Sequence, residues 1–114
     1  MATIKAYTDP SQSKTLSKIL PLESADGGWY ETDNPLAANT EYWLYTKYTE
    51  KAALPAWSLA ALLGVLPKSI IYTPNPTLDG YCCKNIMHDL ETYGDNPVDA
   101  CVAMIEKLNE LNLL

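Results

Sequence analysis

The chain has 114 residues, 47% of them apolar and 19% charged, which is the make-up of one folded domain, 1–114, able to bury a core without metal or disulfide staples. Its net charge is −6 and its eight basic residues are all lysine. Without arginine it lacks the usual bidentate grip on phosphate and guanine, so nucleic acid is not expected as a partner.

The alternation in Thr3 to Thr8 (TIKAYT) suits a short first strand or an extended lead-in. Asp9-Pro10-Ser11-Gln12 then starts a helix near 10–20: Asp9 caps, Pro10 takes the first helical position, and Gln12 reaches back as in a capping box. Leu16, Ile19 and Leu20 supply its apolar contacts, and Pro21 ends it. Asp26-Gly27-Gly28 is a turn signal before a strand near 29–32, and Asp33-Asn34-Pro35 is turn chemistry again. Glu41 to Thr49 (EYWLYTKYT) predicts a strand over 42–48, with Tyr42, Leu44, Thr46 and Tyr48 on one side and Trp43, Tyr45 and Lys47 on the other.

Leu54 to Pro67 (LPAWSLAALLGVLP) reads as a helix near 55–63 started by Pro55. Leu59, Leu62 and Leu63 form its stripe, Gly64 is placed to be the left-handed C-terminal residue, and Val65 closes the contact behind it. With so few charges it is expected to be the most buried element, with Trp57 at its edge. A strand over 69–74 and a loop at Pro74 to Gly80 follow. Residues 81–93 fit both a helix and a hairpin strand near 81–86. The clearest signal is the last: Asn96 caps, Pro97 leads, Asp99 faces the positive end of the dipole, and Val98, Cys101, Val102, Ile105 and Leu108 line one face of a helix over 97–112. The expected fold class is α+β, with three helices packed on a small, mainly antiparallel β-sheet.

Cys82, Cys83, His88 and Cys101 are the only soft-ligand candidates, and their spacing is not that of a zinc site. An odd number of cysteines argues for reduced thiols. A Cys–His nucleophile oriented by Asp89 or Asp95 has no local sequence support. Asp26, Glu31, Asp33 and Glu41 do not match a calcium loop and read as solvated acids. No nucleophile, base and stabiliser can be assembled from named residues, so no catalytic residue, metal or cofactor is assigned.

With no phenylalanine, the aromatic load falls on eight tyrosines and three tryptophans, whose polar tips favour the margin of a core. Trp29, Tyr30, Tyr42, Trp43, Tyr45 and Tyr48 cluster in sequence, and Trp29, Tyr30, Trp43 and Tyr45 are the candidate binding residues. Completing the core is the plainer use for them. Two functions fit a binding role: a non-enzymatic interaction domain, adaptor or accessory in kind, that engages a protein partner or itself, or a small-molecule binder, for a carbohydrate or metabolite, in which Trp29, Trp43 and Tyr45 line a pocket rimmed by carboxylates. No apolar run spans a membrane, and the start, MATIKAYTDP, lacks a secretory layout, so the expected location is cytoplasmic with no membrane partner.

Three segments, AYTDPSQSKTLSKILPLESAD, PAWSLAALLGVLP and DNPVDACVAMIEKLNEL, together resemble a group of small uncharacterised proteins from gut Bacteroides and their prophages or mobile elements. The resemblance spans most of the chain and implies a bacterial or phage cytoplasmic setting and a compact α+β domain. None of the three motifs is catalytic, and the group has no established activity, so no functional residue is carried over.

Overall fold

The computed structural model describes residues 5–31, 41–73 and 80–114. In chain order these form α1 (Pro10–Leu16), β1 (Gly27–Glu31), β2 (Tyr42–Tyr45), β3 (Leu54–Ala56), α2 (Leu59–Val65), β4 (Ser69–Tyr72), β5 (Tyr81–Asn85), β6 (Leu90–Gly94) and α3 (Pro97–Glu110). The class is α+β. The strands, however, do not make one sheet: they form two antiparallel three-stranded sheets, ordered β2-β1-β3 and β4-β5-β6. The chain leaves the first sheet at β3 and runs straight through Trp57 and α2 before β4 opens the second.

The core is built around α3. Asn96 Oδ1 accepts from the Asp99 N–H (2.9 Å), Pro97 sits at the start, and Val98, Ala100, Cys101, Val102, Met104, Ile105 and Leu108 are buried. These side chains join Leu16, Leu20, Trp57, Leu62, Leu66 and Cys83 in one cluster. The Thr92 hydroxyl donates to the Ala100 carbonyl (2.9 Å), which fixes β6 to the helix. At the other end of the chain, the Asp9 carboxylate accepts from the Gln12 N–H (2.7 Å) and the Gln12 side-chain Oε1 accepts from the Asp9 N–H (3.1 Å), completing the expected capping box. The helix itself is shorter than 10–20, stopping at Leu16 and continuing as turns to Leu20.

The leucine-rich segment departs most from expectation. Pro55 does not start a helix. It lies in β3, opposite Gly28, on the edge of the first sheet, where a missing N–H is tolerated. The helix starts only after Ser58, whose hydroxyl accepts from the Ala61 N–H (3.2 Å). Ser58 is held there by the Asp26 carboxylate, which takes hydrogen bonds from both its N–H (2.8 Å) and its hydroxyl. Trp57 is therefore not at an edge; it is fully buried, and its Nε1–H donates to the Ser24 hydroxyl (2.9 Å). Nor is α2 the most buried element: Leu62 is buried but Leu63 is exposed, and among the helices α3 buries the largest share of its residues. Gly64 lies inside the helix with open space beside it, and the left-handed residue comes later, at Lys68 (φ 44°).

The extended reading holds for Tyr81–Asn85, and the chain returns as a further strand, β6, that the sequence did not announce. Asn85, itself buried, shapes the turn: its Oδ1 accepts from the His88 N–H (2.9 Å) and its Nδ2 donates to the Pro67 carbonyl (2.7 Å), with Asp89 left-handed at φ 52°. Thr46 to Tyr48 fall outside β2, and Thr73 outside β4. Among the described residues of the first expected strand, pairing is a single bridge between Tyr7 and Ser58. Thr3, Ile4, Thr32, Asp33-Asn34-Pro35 and residues 74–79 of the expected loop lie outside the described residues.

Candidate functional site

The pairing of β1 with β2 decides which aromatics meet. Tyr30 stands opposite Trp43 and Gly28 opposite Tyr45, so side-chain alternation puts Tyr30, Trp43 and Tyr45 on one face of the first sheet. Their rings touch. Tyr30 stacks on Trp43 with centroids 4.9 Å apart and planes at 24°, while Tyr45 stands edge-on to Tyr30 (6.1 Å, 77°) and to Trp43 (6.0 Å, 65°). Gly28 makes this arrangement possible, because a Cβ there would fall 2.9 Å from Ala52 Cβ and 3.2 Å from Tyr30 Cε2. The Tyr30 hydroxyl is held at 2.6 Å from the Thr49 hydroxyl, which anchors that ring within the trio.

This face is open: Trp43 is 48% and Tyr45 47% exposed. No side chain of β1 or β2 belongs to the core cluster around α3. Trp29 does not join the trio. It stands opposite Leu44 and Leu54 on the other face, half-buried, and its Nε1–H donates to the Thr8 carbonyl (2.8 Å). The expected pocket lined by Trp29, Trp43 and Tyr45 is therefore not formed, and the three-ring face Tyr30–Trp43–Tyr45 replaces it. What the face offers is flat π-surface with the exposed Glu41 two residues before Trp43, while Glu31 falls with Trp29 on the opposite face.

The other candidates are kept apart or put to structural use. Cys82 and Cys83 are buried on opposite faces of β5, and only Cys83 faces α3, beside Cys101. The hydrogen bond to Cys83 and burial both push the Cys101 thiol above its ordinary value, which makes it a poor nucleophile. His88 lies in the β5–β6 turn. Among the described residues no three His, Cys, Asp or Glu side chains gather as metal ligands would. Asp26 is occupied with Ser58, and Asp33 lies outside the described residues.

Two further features were not read from the sequence. On the outer face of the second sheet, the Tyr72 and Tyr93 hydroxyls donate to the two oxygens of Glu91 (3.1 and 3.0 Å). Hydrogen bonds to Cys82 and Glu91 raise the Tyr72 phenol, and Glu91 raises that of Tyr93. The alternation in LETYG was the available signal, but it has meaning only once β6 is recognised. A shallow apolar groove of about 490 Å³ also runs between the helix ends, lined by Ile19, Leu20, Val65, Pro67, Leu113 and Leu114 among others. Among the described residues no helix is long and apolar enough to cross a membrane.

Comparison with models of known protein families, with curated proteins and with solved structures gave no match.

Proposed function

We propose that the chain is a small non-enzymatic interaction domain whose contact surface is the Tyr30–Trp43–Tyr45 face, engaging another protein. From the sequence resemblance we read its setting as bacterial, of phage or mobile-element kind, and cytoplasmic. One observation carries the functional reading: three rings that brace one another yet leave about half of Trp43 and Tyr45 in solvent. Aromatics that merely complete a core turn inward, as Trp57 does. A pre-stacked cluster loses little side-chain freedom when covered, and buried aromatic anchors dominate the energetics of protein contacts.

The test compares the wild type with a Trp43→Ala variant whose folding is checked by circular dichroism. Association is followed by sedimentation over a range of concentrations and by affinity capture from bacterial extract. The variant is expected to stay folded and to lose whatever the wild type binds. An identical set of associations for both proteins would remove the aromatic face from the function.

A further inference from the structure

The three cysteines all lie buried in the second half of the chain, and the interaction reading uses none of them. They are not equivalent. Cys83 faces α3 from β5 and belongs to the core cluster with Cys101, whereas Cys82 points to the outer face of the same sheet. Backbone packing brings the pair together. Cys83 stands opposite Thr92 of β6, and the Thr92 hydroxyl donates to the carbonyl of Ala100 (2.9 Å), the residue before Cys101. Gly94 lets the helix come down on the sheet there, since a Cβ would lie 2.5 Å from Ala100 N. At that approach the Cys101 thiol donates a hydrogen bond to the Cys83 sulfur.

A disulfide needs two side chains aimed at each other across a short backbone gap. The hydrogen bond meets the first condition, and the approach at Gly94 serves the second. The contact also gives the two thiols different characters. It holds Cys83 below its ordinary value against the opposing effect of burial, while the same contact and burial hold Cys101 above. Thiolate character therefore collects on Cys83, and Cys101 is placed to attack only the sulfur it already touches.

We propose that Cys83 and Cys101 form a peroxide-responsive dithiol that closes to an intrachain disulfide between β5 and α3. The Cys83 thiolate attacks one oxygen of hydrogen peroxide. The O–O bond breaks, a sulfenic acid forms on Cys83, and the departing hydroxide takes up the Cys83 proton as water. The Cys101 sulfur then attacks the Cys83 sulfur. The S–O bond breaks, and the sulfenic hydroxyl leaves with the Cys101 proton as a second water. Two thiols are oxidised to one disulfide, and one peroxide is reduced to two waters. Both sulfurs are enclosed, so the oxidant has to be small and reaction follows local opening of the helix–sheet seam. Cys82, on the far face, stays a thiol.

The test treats the folded, reduced full chain with hydrogen peroxide, blocks the remaining thiols with iodoacetamide in urea, and maps tryptic peptides without reduction. Cleavage after Lys68, Lys84 and Lys107 puts Cys82 and Cys83 on one peptide and Cys101 on another. The expected product is these two peptides joined, lighter than their sum by two hydrogens and separated again by dithiothreitol. Cys82→Ala should give the same cross-link and Cys83→Ala none. The exposed Met87, converted to its sulfoxide, reports that peroxide has acted. The oxidised chain should also unfold at a urea midpoint higher by about 1–2 M, because the bond closes the loop that carries β6.

A cross-link that survives Cys83→Ala, or that Cys82→Ala abolishes, would give the bond to Cys82 and overturn the proposal. So would thiols that all remain open to alkylation once Met87 is oxidised, or a sulfinic acid at Cys83 in place of the bond. A bond that forms but fails to raise the urea midpoint was made outside the native seam and overturns it too. Should Cys83→Ala not fold, the Cys82→Ala map decides alone, since Cys83 is then the sole thiol on its peptide.

Discussion

Asp99 shows how a single side chain ties together distant parts of this chain. It sits in the first turn of α3, where one oxygen accepts from Lys5 Nζ (2.9 Å) and Gln12 Nε2 (2.8 Å) and the other from Asn96 Nδ2 (2.9 Å). Lys5 also reaches Asp9 (3.0 Å) and the Gln12 side-chain Oε1 (2.7 Å), so the helix starts of α1 and α3 share one ion network. Burial by itself would raise the Asp99 carboxyl. The hydrogen bonds from Lys5, Gln12 and Asn96 and the Lys5 charge outweigh it, and the net shift is downward from 3.8. Burial would lower the Lys5 ammonium, but Asp99 and Asp9 raise it above 10.5. A carboxyl lowered on folding adds stability above its unfolded value and loses it as pH falls through the folded value; a raised ammonium adds stability below 10.5 and loses it as pH rises through its folded value. Urea unfolding across pH should therefore show a plateau that declines at both ends. Asp99→Asn should flatten the acid decline, and an acid limb of unchanged slope in that variant would show that the network contributes nothing.

At the level of elements, what could be read depended on whether the local signal had one meaning. Asn96-Pro97 followed by apolar residues at helical spacing has one meaning, and α3 appears where expected. Pro55 has two, a helix start or an edge strand, and the choice is made by Asp26 holding Ser58 from 32 residues upstream. That contact is non-local and leaves no mark in LPAWSL. The turn before β6 contains neither glycine nor proline and relies on Asn85 and a left-handed Asp89, so the hairpin had no punctuation to find. The trio was half legible. Trp43 and Tyr45 share a face by alternation alone, whereas Tyr30 in place of Trp29 depends on the β1–β2 register.

Two glycines test the element packing in opposite directions. A Cβ on Gly94, at the end of β6, would fall 2.5 Å from Ala100 N and 2.8 Å from the Asp99 carbonyl carbon, both rigid backbone of α3. Gly94→Ala should cost about 1–3 kcal/mol as an overpacking change. Gly64 lies in α2 with nothing within 4 Å of such a Cβ, so Gly64→Ala should stabilise by about 0.5–1 kcal/mol. Urea midpoints of the two variants moving the same way would contradict this placement of the elements.

Considered whole, the molecule divides its tryptophans by task. Trp57 is enclosed by the core that α3 organises, Trp29 pins the first sheet to Thr8, and Trp43 stands with Tyr30 and Tyr45 outside that core. The functional reading depends on this division, since a surface for partners has to be dispensable for folding. Equilibrium urea unfolding of Trp43→Ala beside Trp57→Ala measures it directly. Removing Trp57 deletes a fully buried ring and should cost about 3–5 kcal/mol. Removing Trp43 forfeits mainly its contacts with Tyr30 and Tyr45 and should cost about 0.5–1.5 kcal/mol. Equal losses for the two variants would place Trp43 in the core and contradict the account of an exposed binding face.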